Sequence, residues 1–140
     1  MNDRLRIGAL AARAAVSVDA IRYYERIGVL PKPARTPAGY REYDTAALNR
    51  LGLIRNAQQF GFSLREIAGF LRVRDAGGRP CQEVRDAARR ALADVDDQIL
   101  ALRRRRADMR RTLRRWDRQL AATPVDRPAR LLENMSAAHA

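Results

Sequence analysis

The fold of this chain is best predicted from one stretch, Ser17-Val18-Asp19-Ala20-Ile21-Arg22-Tyr23-Tyr24. Ser17 is a favourable N-cap, because its hydroxyl oxygen can accept a hydrogen bond from a backbone N–H group that the first helical turn leaves unpaired. Gly28 is a favourable residue just beyond the end of a helix. Together these two residues predict a helix over residues 18–27.

The two faces of this helix carry different side chains. Val18, Ile21 and Tyr24 share one side at helical spacing, so that side is expected to pack against a core. The N-cap and the opposite side present Ser17, Asp19, Arg22, Tyr23 and Arg26. Guanidinium groups beside an exposed aromatic ring suit base edges, phosphates and sugars. Taken alone, the pattern is equally compatible with a solvated surface helix, so the neighbouring segments decide between the two interpretations.

A short helix is also predicted immediately before this one. Apolar residues recur at i, i+3, i+4 and i+7, at Ile7, Leu10, Ala11 and Ala14. The break between the two helices is only about three residues long, at 15–17. Two short helices joined so tightly indicate a helix-turn-helix motif, whose second helix enters the major groove of DNA.

A small β-hairpin is predicted after the second helix. Pro37-Ala38-Gly39 is typical of a turn, and the segments on either side can pair as two strands. Such a wing would hold Arg35 and Arg41 beside the second helix, where we expect them to contact phosphate. Tyr40 is expected at the same surface. Tyr43 can either contact the nucleic acid or pack the wing onto the core.

Two further helices are expected to serve as scaffold. Asp44 caps the first of them, and Gly61 ends it because glycine adopts the left-handed conformation at low cost. Ser63-Leu64-Arg65-Glu66 is a capping box that begins the second. These helices supply the apolar mass that the first two lack.

The segment 76–80 contains two glycines and a proline and is predicted to be a hinge. The head before it (1–75) is the predicted winged helix-turn-helix DNA-binding domain. A helix over 81–120 follows, and 121–140 is a C-terminal tail or effector region. The long helix carries an apolar stripe, which contains Val84, Ala88, Val95, Ile99, Leu102, Met109, Leu113 and Trp116. Because a head of this size cannot cover so long a stripe, we predict a homodimer formed by an antiparallel coiled coil.

The charge of the chain indicates a polyanionic partner. The formal net charge is +12, and residues 1–80 carry fourteen basic and seven acidic side chains. Basic fields of this kind attract nucleic acid, and each neutralised phosphate releases counterions. A membrane is not expected as a partner, because no apolar run approaches the length of about 20 residues that a span requires.

The residue inventory argues against catalysis and indicates a reducing compartment. The sequence has one histidine, His139, and one cysteine, Cys81, and it lacks a glycine-rich phosphate loop and a nucleophile elbow. We therefore expect no enzymatic activity. The single cysteine has no intrachain disulfide partner, which is typical of a cytoplasmic protein.

Four motifs in this order resemble the MerR family of bacterial transcription regulators. The residues that carry the resemblance are Ile7-Gly8-Ala9-Leu10-Ala11, Ile21-Arg22-Tyr23-Tyr24-Glu25-Arg26-Ile27-Gly28-Val29-Leu30, Arg35-Thr36-Pro37-Ala38-Gly39-Tyr40-Arg41-Glu42-Tyr43 and Gly61-Phe62-Ser63-Leu64-Arg65-Glu66-Ile67. The resemblance covers about residues 5–120. It implies an all-α fold with a small β wing, namely a winged helix-turn-helix head followed by a long coiled-coil dimerisation helix.

The resemblance also implies a mechanism. Members of this family bind, as dimers, a pseudo-palindromic promoter operator, and they distort the DNA for RNA polymerase when an effector is present. By position, Arg22 and Tyr23 would be contacts of the recognition helix, and Arg35, Tyr40 and Arg41 would be contacts of the wing. Distorting a site of this size costs on the order of 1–6 kcal/mol.

The sequence departs from the metal-sensing members of the family at its C-terminal end. Cys81 stands where such members carry their first thiolate ligand, but no further cysteine follows it. One thiolate cannot complete a soft-metal site, although a second Cys81 from a dimer, Asp117 or His139 could add donors. Three roles stay open for Cys81: a ligand for a thiophilic metal ion, a sensor of oxidants or organic effectors, and no function.

Two other classes of function compete with the regulator hypothesis. A nonspecific basic architectural or RNA-binding protein would need only the net charge, and it would show no preference for any duplex sequence. A coiled-coil adaptor would pair its long helix with a different protein rather than with itself. The capped helix pair favours the sequence-specific regulator, because binding through net charge alone requires no defined arrangement of helices.

Overall fold

A computed structural model describes residues 4–138, and the described chain is mostly helical with one two-stranded antiparallel sheet. The elements in chain order are α1 (Ile7–Ala14), α2 (Val18–Arg26), β1 (Ala34–Arg35), β2 (Arg41–Glu42), α3 (Thr45–Phe60), α4 (Leu64–Asp75) and α5 (Cys81–Ala122), and a 3₁₀ helix covers Glu133–Ala138. The predicted fold class, helical with a small β wing, is confirmed.

The ends of the helices are set by the predicted capping residues. The hydroxyl of Ser17 accepts a hydrogen bond from the Ala20 backbone at 3.0 Å. Ser63 and Glu66 form a complete capping box at the start of α4, and the bond from the Ser63 backbone N–H is the main reason that the pKa of Glu66 is lowered. α3 ends at Gly61, whose φ of 125° is a conformation that favours glycine.

The chain divides into two compact units, the first ending at Leu92 and the second beginning at Ala93. The core of the first unit draws on α1 to α4, on the wing and on the segment between α2 and the wing. Its most completely buried side chains are Tyr43, Leu10, Ile21, Leu30, Leu51, Ile54, Ile67 and Val29. This core fixes the helix-turn-helix and the wing on one scaffold.

Arg50 ties three parts of the first unit together. Its Nε donates to the backbone carbonyl of Val29 at 2.9 Å. Its two terminal nitrogens donate to the carboxylate of Asp75 at 2.9 and 2.8 Å. These bonds are the main cause of the lowered pKa of Asp75. α3 therefore holds both the segment after α2 and the end of α4.

The first turns of α5 belong to the first unit. Ala87 is buried there, and a Cβ atom added to Gly61 would lie 3.7 Å from that of Ala91. Val84 and Ala88, both assigned above to the dimerisation stripe, are half-buried within the single chain. The exposed part of the stripe therefore begins further along, at Val95.

In the second unit the C-terminal segment folds back onto the end of α5. The Gln119 side chain donates to the backbone carbonyl of Ala129, and the Thr123 hydroxyl donates to the carbonyl of Gln119 at 2.6 Å. Trp116 is half-buried, and its indole N–H has no hydrogen-bond partner within residues 4–138. No helix in the described part of the chain is both long and apolar enough to cross a membrane.

Candidate nucleic-acid interface

The outward face of α2 carries the predicted recognition residues in exposed positions. The Arg22 side chain is 58% exposed, and its Nη1 lies 3.9 Å from the Asp19 carboxylate. Tyr23 is exposed, and the Arg26 guanidinium lies 5.6 Å from the centroid of its ring. Arg22, Tyr23 and Arg26 are therefore accessible to a groove of DNA. Ser17 uses its oxygen for the helix cap, as the N-cap assignment predicted.

The wing is a short hairpin whose turn is closed by a backbone hydrogen bond. Across its two strands Arg35 pairs with Arg41, and Ala34 pairs with Glu42. The Thr36 backbone N–H donates to the Tyr40 carbonyl at 2.7 Å, and Gly39 has a φ of 89° at the turn. Because Arg35 and Arg41 are direct cross-strand partners, their side chains extend from the same face of the hairpin.

A buried carboxylate joins the wing to α2. The Glu25 side chain is 4% exposed, and its Oε2 lies 3.0 Å from Nη1 of Arg41. The Tyr43 hydroxyl donates a hydrogen bond to its Oε1. Tyr43 is buried in the core, and this burial, with the bond to Glu25, raises its pKa to about 12. Of the two roles considered for Tyr43, the structure shows packing.

Sequence reasoning missed the role of Glu25, although a signal for it was present. Glu25 follows Ile21 by four residues and Val18 by seven, so it lies on the apolar face of α2. An acidic residue on a core-facing stripe needs a charged or hydrogen-bonding partner. The partner, Arg41, is sixteen residues away in sequence, and periodicity alone does not identify it.

Sequence reasoning also missed Arg6, which lies at the start of α1 next to the wing. Its guanidinium stacks over the Tyr40 ring at 4.3 Å from the centroid. Arg6 and Tyr40 line an open cavity of about 370 Å³ together with Arg22, Arg35 and Arg41. Arg22 of the recognition helix thus meets the predicted wing residues at one cationic surface, which we call the arginine pocket. The lining of this pocket does not include the other predicted contacts, Ser17, Asp19, Tyr23 and Arg26.

Cys81 is exposed at the first residue of α5. Within the described residues, no group of three or more His, Cys, Asp or Glu side chains could hold a metal ion. Asp117 lies on the far part of α5, in the second unit. His139, the other residue considered as a metal donor, lies outside the described residues.

The helix-turn-helix, the wing and the exposed arginines define a winged helix-turn-helix DNA-binding protein. A family model described as "MerR HTH family regulatory protein" matches residues 5–73, and one described as "MerR, DNA binding" matches residues 48–112. The chain belongs to the MerR family of transcription regulators.

Two curated relatives are regulators named for metals. The mercuric resistance operon regulatory protein of Bacillus cereus is 39% identical over 101 residues, which cover 72% of this chain and 76% of that protein. The transcriptional regulator ZntR of Escherichia coli K12 is 40% identical over 111 residues, which cover 79% of this chain and 76% of ZntR.

Solved structures show the same fold. The lead(II) complex of PbrR691 from Ralstonia metallidurans CH34 is 29% identical, with a TM-score of 0.59, and the match covers 94% of this chain and 98% of that one. HiNmlR, a MerR family regulator crystallised on promoter DNA, is 23% identical, with a TM-score of 0.56 over 87% of this chain and 95% of that one.

Proposed function

We propose that this protein regulates transcription as a homodimer that binds an operator in promoter DNA and distorts the duplex. The observation that carries the proposal is the Glu25 to Arg41 ion pair, because it joins the recognition helix to the wing. In a homodimer, α2 and the wing of each protomer would bind the same duplex, one pair of elements at each half of the operator. The predicted contact residues are Ser17, Asp19, Arg22, Tyr23, Arg26, Arg35, Tyr40 and Arg41.

Support for the dimer comes from the exposed part of the apolar stripe on α5. Its members in the second unit include Val95, Ile99, Leu102, Met109 and Leu113, and each of them is at least 42% exposed. Fully burying one such side chain is worth roughly 1.5–3 kcal/mol. A second copy of α5 offers an equally long apolar surface, so self-pairing is the arrangement that we propose.

The charge distribution along α5 favours the antiparallel orientation. Residues 81–102 contain five acidic and three basic side chains, whereas residues 103–122 contain nine arginines and two aspartates. An antiparallel pair places the acidic half of one helix beside the basic half of the other. A parallel pair would place the two arginine-rich halves side by side, and like charges at that separation repel each other.

A dimer of this kind has a specific task at the promoter. Smooth bending of a duplex of this size costs on the order of 1–6 kcal/mol, and that energy has to come from contacts on both sides of the bend. Two recognition helices and two wings supply such contacts. We infer that the distortion serves RNA polymerase at the same promoter, and that the regulator acts in the cytoplasm without catalysing a reaction.

The effector is a separate question, because the residues do not fit a metal site built within one chain. A soft metal ion in a structural or sensing site takes three or four donors, and thiolates are preferred. This chain supplies one thiol, at Cys81. A thiophilic metal ion would therefore need further donors, either from the Cys81 of a second protomer or from Asp117 or His139, and we assign no metal. Thermal shift of the wild type and Cys81→Ser with thiophilic metals, oxidants and small organic molecules tests each class of effector.

Binding to the protein's own promoter region tests the proposal. At fixed salt, Arg22→Ala and Arg41→Ala should each weaken operator binding relative to Arg13→Ala, a matched change at an exposed arginine of α1 outside the arginine pocket. Unchanged affinity in both variants would show that the contacts are assigned wrongly. Equal affinity for operator and scrambled duplex would favour the nonspecific architectural protein, and a stable monomer would favour the coiled-coil adaptor.

A further inference from the structure

The arginine pocket brings together guanidinium groups from three separate segments of the chain. Arg6 comes from the start of α1, Arg22 from α2, and Arg35 and Arg41 from the two strands of the wing. Among the described residues, no carboxylate lines this cavity. A concave surface with several charged donors and no acidic acceptor is complementary to a phosphate group.

Three of these four arginines are held in place by groups of the protein itself. Arg41 is bound to Glu25 at 3.0 Å. Arg35 donates to the carbonyl of Gly39 at 3.1 Å. Arg6 stacks on the Tyr40 ring. Arg41 is paired with Glu25, and Arg22 lies 3.9 Å from Asp19. Within residues 4–138 no ion pair is seen for Arg35 or Arg6, so their charge is available to a ligand. Side chains that are already ordered lose little conformational entropy when they bind.

We propose that the arginine pocket holds one backbone phosphate of the DNA duplex, that Arg6 contacts this phosphate, and that Tyr40 is a positioning residue for Arg6. This inference rests on the proposed function and adds Arg6, the N-cap residue of α1, to the predicted contacts. Guanidinium donors dominate the pocket, whereas a base edge in the major groove presents a mixture of donors and acceptors. The contact therefore fixes the register of the protein on the duplex and does not read sequence.

Salt-dependent binding of wild type, Arg6→Ala and the matched control Arg13→Ala tests the contact. Arg13 lies on the same helix, is exposed and does not line the pocket. Arg6→Ala should bind about tenfold more weakly, and its slope of log K against log salt should fall by about one. Arg6→Ala should lose the same factor in affinity for the operator and for a scrambled duplex, because the phosphates are the same in every sequence. If Arg6→Ala behaves as Arg13→Ala does, the inference is overturned.

The role of Tyr40 is tested by a double-mutant cycle. Tyr40 is 54% exposed, so its replacement should leave the melting temperature nearly unchanged. Tyr40→Phe keeps the ring on which Arg6 stacks, so it should lose less affinity than Tyr40→Ala. Tyr40→Ala removes the ring together with the predicted contact of Tyr40 itself, so it should weaken binding at least as much as Arg6→Ala, and the double variant should bind no more weakly than Tyr40→Ala. Fully additive losses would show that Tyr40 does not position Arg6.

Neutral phosphate analogues identify the partner of the pocket. Single methylphosphonate groups are placed in turn along the operator, and one position in each half-site should weaken wild-type binding more than that of Arg6→Ala, in which Arg22, Arg35 and Arg41 still line the pocket. If a methylphosphonate at each position weakens DNA binding by the wild type and by Arg6→Ala equally, Arg6 contacts no single phosphate and the inference is wrong. Failure of the proposed function looks different, because the wild type itself would then show no preference for its promoter.

Discussion

The Glu25 carboxylate on α2 lies 3.0 Å from the Arg41 guanidinium on the wing, and only 4% of the Glu25 side chain is exposed. The same carboxylate accepts the hydroxyl of Tyr43. α2 and the wing are short elements, and each would be mobile if it were anchored only through its own backbone. The buried carboxylate links them directly, in addition to the core that both pack against, and deformation of a duplex requires such a fixed arrangement.

Loss of this carboxylate should destabilise the protein. Glu25→Ala leaves Arg41 without its counter-charge and the buried Tyr43 hydroxyl without its acceptor. Together these losses should lower the free energy of unfolding by about 2–4 kcal/mol. Urea denaturation at pH 7 measures the change. The control is Glu42→Ala, which breaks the more exposed pair with Arg4 and should cost much less, because solvent screens that pair. Equal losses in the two variants would contradict the role given to Glu25.

Tyr43 should make the protein less stable in alkali. Its pKa is raised from 10.0 to about 12, so the folded state holds the phenolic proton more tightly than the unfolded state. This stabilisation is complete below pH 10 and is lost as the pH rises from 10 toward 12. The slope contributed by this group is at most about 1.4 kcal/mol per pH unit. Denaturant titrations between pH 9 and 11.5 should show a smaller decline in Tyr43→Phe than in the wild type.

Asp75 should make the protein less stable in acid. Arg50 lowers its pKa below 3.8, so the folded state favours the ionised carboxylate. The stabilisation is present above pH 3.8 and disappears as the pH falls through the folded-state value. Asp75→Asn should therefore be less stable than the wild type at pH 7, and the two should converge as the pH falls below 3.8. A difference in melting temperature that does not shrink as the pH is lowered from 7 to well below 3.8 would rule out this linkage.

A charge placed in the exposed apolar stripe should dissociate the dimer. Ile99→Asp would bury an unpaired carboxylate in the proposed interface, which is costly. Sedimentation equilibrium should show a monomer at concentrations where the wild type is dimeric. Arg104→Asp is the matched control, because Arg104 lies on the opposite side of α5, and this variant should remain dimeric. A dimer in both cases would place the interface elsewhere.

Local features of the head were predictable from the sequence, because the residues that end helices act within one turn. Ser17, Asp44 and Ser63 cap the helices as predicted, and Gly61 ends α3. The wing was predicted from the turn residues 37–39, and the structure shows the two flanking strands paired. The long helix was predicted over 81–120 and extends over Cys81–Ala122, since no proline or glycine interrupts it.

Contacts between distant segments were not predictable in the same way. The spacing of Glu25 from Ile21 was a signal that it faces the core, but this signal was missed, and spacing does not reveal that Arg41 reaches Glu25. Nothing in the residues near Arg6 indicates that its guanidinium meets the Tyr40 ring. The packing of Ala87 in the head was also missed, because a continuous stripe on a long helix does not show which of its residues a neighbouring helix covers.

The central claim is that two linked heads bend one duplex, and the distance between the ends of the protein's own promoter fragment tests it most directly. With fluorophores on the two ends, resonance energy transfer should change when the wild type binds. Ile99→Asp should produce no such change at a concentration where it occupies the site. Saturated binding of the wild type with unchanged energy transfer, or an equal change with the monomeric variant, would contradict the account.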